Sequence, residues 1–352
     1  VQETDAVTEL VAVAERIGAP VFTEPGHSHG RLGFPADHAL YGQSLPLWAH
    51  QIAEKLGEFD VLLVAGMDLL REYVYHGPDP AIPKSLRLVH IDESVRELGK
   101  NFPIEVGVLG DTKSALAEIS TLLSGAMSAD SQRQASQRLS AWQEKHQKAR
   151  EKLRTSIAQR RDARPMPGSV LMGSLAGVLP ANVAVVEEAV TTTNTTLERL
   201  AALKNTSGYF GHRGWALGWG LGCALGVKLA WPDRPVLAIL GEGAAMYGIQ
   251  GLWSAARYNL GVTFVICNNA QYQILKAGAA GFGLPAAKSG KFVGMDLAQP
   301  EIDMVGLARS LGVPAERVTE PDELAEKVAR SFAEGGPRLF DVPIERTLAG
   351  PG

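Results

Sequence analysis

The chain has 352 residues, with 34 lysines and arginines against 38 aspartates and glutamates, a formal net charge of −4; 45% of residues are hydrophobic and 20% charged. This composition excludes a disordered chain, a collagen-like chain and a small disulfide scaffold, and the slight acidity argues against a general nucleic-acid or membrane-surface binder. The length predicts two domains, each large enough to bury its own core. Cys223 and Cys267 lie in apolar runs, a usage that fits a cytoplasmic protein without a disulfide framework. No uninterrupted apolar run reaches the roughly 18 residues of a membrane span, and no signal-peptide pattern is present.

The sequence opens on Val1-Gln2-Glu3 and enters a helical run almost at once, so upstream chain is expected to be missing. A helix near 5–17 leads to a strand at 19–23, a loop rich in Gly, Pro and His, and a helix near 44–57. Continuous apolar runs at 60–65 and 86–91 predict parallel strands buried on both faces, followed by a helix near 112–124. Strand alternating with helix predicts a doubly wound parallel sheet for a first domain, 1–125. Residues 126–164 are rich in Gln, Lys, Arg and Ser and predict a charged helical linker. Acidic and polar residues interrupt its basic run, 145–164, which reads as a solvated helical face and not a nucleic-acid surface. Residues 165–352 form a second α/β domain, with strands at 183–186, 236–240, 263–267 and 338–342 and helices near 246–259 and 321–333. The fold class is therefore α/β, two doubly wound parallel-sheet domains joined by a charged helical linker. In the glycine-rich helix expected at 214–230, Gly214, Gly218, Gly222 and Gly226 share one face. Glycine weakens a helix by about 1 kcal/mol relative to alanine, so this stripe predicts close approach of a backbone or a ligand, with tight helix–sheet packing at least at the last two.

The strongest chemical signal is Gly241-Glu242-Gly243-Ala244-Ala245, which follows an apolar strand and precedes a helix. Ligands of open α/β sheets bind at the carboxyl ends of strands, and the glycines let backbone approach a phosphate at a helix N-terminus. A dinucleotide fingerprint would need a third glycine where Met246 stands. The next strand ends in Asn268-Asn269-Ala270-Gln271-Tyr272, with 24 residues separating Gly243 from Asn268. Two successive strands thus bring an acid and an amide, both oxygen ligands, to one edge of the sheet. Magnesium takes such oxygens in octahedral geometry and shares them with substrate phosphates.

This pairing resembles the diphosphate-binding signature of thiamine diphosphate (ThDP) enzymes, an acid between two glycines followed some two dozen residues later by Asn-Asn. The segment from Met246 to Tyr258 is similar to the benzoylformate decarboxylase and acetolactate synthase branch. Residues 1–125, including the run from Ala14 to Val21, resemble that family's central domain, and 165–352 its diphosphate-binding domain. The resemblance implies that Glu242, Asn269 and the Gln271 carbonyl hold Mg2+. It places Gly241, Gly243, Ala244, Ala245 and the hydroxyls of Thr191 and Thr192 around the diphosphate. It also sets Tyr272 and Ile274 beside the cofactor. Leu217 matches the residue that wedges ThDP into its bent form, and Trp215 would offer its carbonyl to the 4′-amino group. His212 matches a position lining the substrate pocket, as do Val190, Ile274, Leu275 and Tyr73 or His76. The implied reaction is decarboxylation or carboligation of a 2-oxo acid by a homo-oligomer, a dimer or a tetramer, with no nucleic-acid or membrane partner.

The sequence departs from the family pattern in two ways. Glu242 replaces the family's aspartate, which predicts altered metal binding. No residue matches the glutamate of the family's pyrimidine-binding domain, so the chain is expected to be a fragment that is inactive alone. The alternatives are an acetolactate synthase-like carboligase, a non-catalytic homologue, and a plain NAD- or FAD-binding module, which lacks a glycine fingerprint within 1–125. His27 and His29 have a spacing that can bind metal but no cysteine or carboxylate cluster beside them. His38, His50, His90 and His146 read as surface or packing residues, and Trp219 and Trp253 as core or interface anchors.

Overall fold

A computed structural model of the protein describes residues 1–24, 30–67, 69–70, 80–211 and 216–347. The chain divides into two compact α/β units, Val1–Ala149 and Arg150–Gly352.

In the first unit every strand pairing among the described residues is parallel. Strand β1 (Val21–Thr23) pairs β2 (Tyr41–Ser44), while β3 (Val61–Ala65), β4 (Arg87–Asp92) and β5 (Val106–Leu109) form a sheet in the order β3-β4-β5. Apolar clusters among the described residues hold it. Ile52 and Leu56 of the helix Ala49–Leu56 pack with Val64 and Leu88, and Leu116 of the helix Thr112–Ala126 packs with Ile91 and Val13. Strands β2 and β5 escape the apolar-run criterion for opposite reasons. β2 is the polar run Tyr-Gly-Gln-Ser, and β5 is an exposed edge.

The segment expected as a linker is mostly one 31-residue helix, Ala129–Gln159. Its first half packs on the first unit. Arg138 donates to the Ile17 carbonyl, Trp142 meets Phe22 edge-on, and a His146 ring nitrogen lies 2.7 Å from the Ala39 carbonyl. Its end belongs to the second unit, where Ile157 lies against Gly173, and beyond it Arg160, Arg161 and Arg164 pair with Glu345, Asp322 and Glu320.

The second unit is a six-stranded parallel sheet. Its strands are β6 (Ala184–Glu188), β7 (Tyr209–Phe210), β8 (Val236–Gly241), β9 (Val262–Asn268), β10 (Ala315–Arg317) and β11 (Arg338–Pro343), in the order β10-β11-β9-β8-β6-β7. The central strands are buried along almost their whole length, as their uninterrupted Val, Ile, Leu and Phe content requires. Helices Trp219–Ala230 and Gly251–Arg257 contribute Leu221, Ala224 and Leu252 to the core around Phe264 and Ile266.

Three details correct the sequence-based elements. The helix expected over 246–259 is confined to Gly251–Arg257 and is preceded by the single turn Glu242–Ala245. Gly222 and Gly226 do not pack on the sheet, because a Cβ at either would meet no atom within 4 Å; Gly220 lies against Glu188 and Leu240 instead. Trp219 packs against the core, and Trp253, 55% exposed, is not a core anchor, which leaves its reading as an interface anchor. No helix among the described residues is long and apolar enough to cross a membrane.

Candidate functional site

From β6 the chain moves to β7 on one side, then returns to β8 on the other side of β6. Strand order thus reverses between β6 and β8, and ligands of open parallel sheets bind outside the carboxyl ends at such a point. The residues that emerge there are Ala189 to Thr193 after β6, Glu242 to Ala245 after β8, and Asn269 to Tyr272 after the neighbouring β9. Gly241 is in register with Cys267, so Glu242 and Asn268 leave adjacent strands at the same level.

Glu242 begins a single helical turn with Gly241 as its N-cap. Its side chain is 3% exposed, and Oε1 accepts the Gln271 N–H at 3.1 Å. The same N–H donates to Asn269 Oδ1 at 3.2 Å. The two oxygens predicted as metal ligands therefore converge on one hydrogen. Burial pushes the Glu242 carboxyl up to about 7, against the pull of backbone hydrogen bonds from its own amide, Gln271 and Asn269. No lysine, arginine or histidine among the described residues forms an ion pair with it. A buried carboxylate without a cation, beside a convergent amide oxygen, suits a bound dication. The described residues hold no group of three or more His, Cys, Asp or Glu that could bind a metal. A donor set of one carboxylate, one amide and backbone oxygens suits a hard cation that shares its shell with phosphate oxygens.

Tight local geometry holds the turn after β9. Ala270 has φ +50°, and Asn268 Oδ1 accepts its N–H at 3.1 Å. Asn269 Nδ2 donates to Gln273 Oε1 at 2.7 Å, which orients Oδ1 toward Glu242. The Gln271 carbonyl accepts the Gln273 N–H at 3.0 Å, and the Gln271 side chain accepts from the buried Lys276, which also pairs with Asp296 at 2.6 Å. The Tyr272 N–H donates to the Met295 carbonyl, and its ring covers Gly243 so closely that a Cβ there would lie 2.9 Å from Cε1. Ile274 is half-buried in the helix Gln273–Gly281, and Leu275 is exposed.

On the β6 side, Thr191 and Thr192 lie in the single turn Val190–Thr193. Thr191 is half-buried and Thr192 is buried. The Thr192 side chain hydrogen-bonds Cys267, whose thiol burial pushes far above its usual range. Sequence reasoning missed Glu188. Its Oε1 accepts the Gly218 N–H at 2.7 Å and its Oε2 the Gly220 N–H at 2.8 Å, so a buried carboxylate caps the helix Trp219–Ala230. Gly218 has φ +89°, and Leu217 beside it is 53% exposed. Two acids ending an otherwise apolar strand, Glu187-Glu188, were the available signal. His212, Gly214 and Trp215 lie outside the described residues, as do Tyr73, His76, His27, His29 and the Val190 side chain.

Parallel sheets, a switch point and this oxygen cluster define an α/β protein with a candidate ligand site at the carboxyl edge of its second sheet. The profile described as "Thiamine pyrophosphate enzyme, central domain" matches residues 1–119, and "Thiamine pyrophosphate enzyme, C-terminal TPP binding domain" matches 189–342. The chain belongs to the thiamine pyrophosphate enzyme family. Benzoylformate decarboxylase of Pseudomonas aeruginosa is 27% identical over 335 residues, 95% of this chain and 58% of that protein. "Putative acetolactate synthase large subunit IlvX" of Mycobacterium tuberculosis is 43% identical over 132 residues, 37% of this chain and 26% of that protein. The solved structure of the ThDP-dependent 4-hydroxybenzoylformate decarboxylase of Rhodococcus jostii shares the fold, with a TM-score of 0.79 at 24% identity, covering 98% of this chain and 60% of that one. The chain thus spans about three-fifths of the benzoylformate decarboxylase and the Rhodococcus enzyme and about a quarter of IlvX.

Proposed function

We propose that this chain supplies the diphosphate- and metal-binding half of a ThDP- and Mg2+-dependent enzyme that decarboxylates a 2-oxo acid of the benzoylformate type. The observation that carries the proposal is the convergence of Glu242 Oε1 and Asn269 Oδ1 on the Gln271 N–H. In this reading Glu242, Asn269 and the Gln271 carbonyl hold Mg2+. The amides of Gly243 and Ala244, which open a helical turn and lack intrahelical acceptors, meet the diphosphate together with Ala245, with Gly241 at their edge. The hydroxyls of Thr191 and Thr192 face it from the neighbouring strand end. Leu217 and the Trp215 carbonyl set the cofactor's bend, Tyr272 and Ile274 flank it, and His212 faces substrate. When bound, the cofactor supplies the electron sink for loss of carbon dioxide.

No residue of this chain is assigned the role of the glutamate that activates the aminopyrimidine, and this chain alone is proposed to be inactive. An oligomer of two or four chains belongs to the same proposal. A second reading, an acetolactate synthase-like carboligase, draws on the 43% identity with the Mycobacterium tuberculosis protein.

The test is titration of this chain with ThDP at fixed Mg2+, followed by carbon dioxide release from benzoylformate, phenylpyruvate and pyruvate with the longer polypeptide. Saturable, Mg2+-dependent binding and release from benzoylformate are expected. Condensation of two pyruvates would favour the carboligase, and absence of ThDP binding would overturn both.

A further inference from the structure

We propose that Asp341 is a positioning residue for the turn Asn268–Gln271, acting through the side chain of Asn268. The inference rests on the reading of Glu242, Asn269 and Gln271 as metal ligands.

Asp341 lies on β11, 1% exposed, in register with Ile266 of β9. Its Oδ1 accepts from Asn268 Nδ2 at 3.0 Å, and its Oδ2 accepts from Arg317 Nε at 2.9 Å. Arg317 continues outward to Glu301 at 2.5 Å. The charge on the buried carboxylate is thus balanced by a partly exposed guanidinium, leaving the other oxygen to hold an uncharged amide.

Asn268 is fixed by polar contacts at three atoms. Nδ2 is held by Asp341, Oδ1 accepts the Ala270 N–H at 3.1 Å, and its carbonyl accepts the Ile344 N–H at 2.9 Å. The Oδ1 contact is the critical one. Ala270 adopts φ +50°, a left-handed backbone that a residue with a Cβ rarely takes up unless other contacts impose it. The residues on either side of Ala270 are the two β9-side ligands, Asn269 and Gln271. An Asn268 amide free to rotate would release Ala270 toward ordinary backbone. The Asn269 oxygen and the Gln271 N–H would then move apart from Glu242.

A simpler alternative is that Asp341 only completes a buried ion pair with Arg317. The two accounts differ in where a substitution is felt. Asp341→Asn is nearly isosteric but offers one acceptor oxygen, so a donor must face a donor at either Asn268 or Arg317. Combining Asn268→Asp with Asp341→Asn exchanges donor and acceptor. The new amide at 341 donates to the new carboxylate at 268, whose second oxygen still accepts the Ala270 N–H, and the amide oxygen still faces Arg317.

The experiment uses the full 352-residue chain and two readouts. Hydrogen exchange of the Ala270 and Gln271 amides is measured without cofactor. Affinity for ThDP is measured at fixed Mg2+ by quenching of intrinsic fluorescence. For Asp341→Asn the expected result is exchange at least about tenfold faster at those two amides, unchanged exchange along β8, and ThDP–Mg2+ affinity reduced about 10- to 100-fold. The double variant is expected to restore the protection. Unchanged protection at Ala270 and Gln271, failure of the double variant to restore it, or unchanged affinity in a chain that binds ThDP would each overturn the inference. If the unsubstituted chain binds no ThDP–Mg2+, the metal reading falls and the positioning role with it, while the exchange result still reports whether Asp341 holds the turn.

Discussion

Glu242 and Asn269 share one hydrogen-bond donor, the Gln271 N–H, at 3.1 and 3.2 Å, although they leave different strands of the sheet. The carboxylate has no cationic partner among the described residues, and burial raises it from an ordinary 4.5 to about 7. In the metal-free protein the native state therefore holds a proton between pH 4.5 and 7 that the unfolded chain has released. Stability falls as pH rises through that window, by about 3 kcal/mol once it is crossed. Glu242→Gln should remove this dependence. Its Tm without metal is expected to match the parent at pH 4.5 and exceed it at pH 8, while Mg2+-dependent ThDP binding is lost. Parallel Tm curves for the two proteins across pH 4.5–8 would refute the account.

The glutamate at 242 stands where the resemblance to the family implies an aspartate. Its longer stem carries Oε1 to the Gln271 N–H. Aspartate would end about 1.5 Å short, one carbon–carbon bond, and lose that contact. Magnesium tolerates little departure from octahedral geometry, so Glu242→Asp is expected to weaken Mg2+ binding in the presence of ThDP by about tenfold. A titration in which aspartate instead strengthened binding strongly would mark the site as decayed and favour a non-catalytic homologue.

Much of this site was readable because its elements are local. The apolar strand before Gly241 and the one before Asn268 announce themselves by composition, and their carboxyl ends must face the same edge of a parallel sheet. Glu242 and Asn269 needed no further geometry. Glu188 and Asp341 were missed because their partners lie 30 and 73 residues away in sequence, and an acid on a buried strand has no periodic signature. The glycine stripe misled for a related reason. Spacing of four places Gly222 and Gly226 on one helical face but does not say whether that face meets the sheet, and it does not. In the first unit β2 was hidden by its polarity and β5 by its exposure at the sheet edge.

Gly243 is fixed by the turn that follows β9. A Cβ at 243 would stand 2.9 Å from the Tyr272 ring and 3.5 Å from Leu297. Gly243→Ala is therefore expected to cost about 1–3 kcal/mol, the usual range for overpacking, and to weaken ThDP binding by displacing Tyr272. Tyr272→Ala should relieve most of that cost when combined with it. Additive urea-unfolding free energies for the two substitutions would show that the ring and the glycine do not constrain each other.

Glu188 makes the last of these relationships testable from the β6 side. Its two oxygens take the N–H groups of Gly218 and Gly220, and the position of a Cβ at Gly220 lies 2.8 Å from Oε2, so the helix start sits directly on the carboxylate. Glu188→Gln keeps the shape but turns one acceptor into a donor facing an N–H. Loss of a charge-assisted bond to a buried donor costs about 1.5–3 kcal/mol. The urea midpoint should fall accordingly, and ThDP affinity should fall with it because Leu217 immediately precedes Gly218. Leu217→Ala separates the two effects. Leu217 is half exposed, so its truncation should lower ThDP affinity while leaving the midpoint nearly unchanged. A Glu188→Gln protein with an unaltered urea midpoint would mean that the carboxylate does not hold the helix start, and the link from β6 to Leu217 would have to be abandoned.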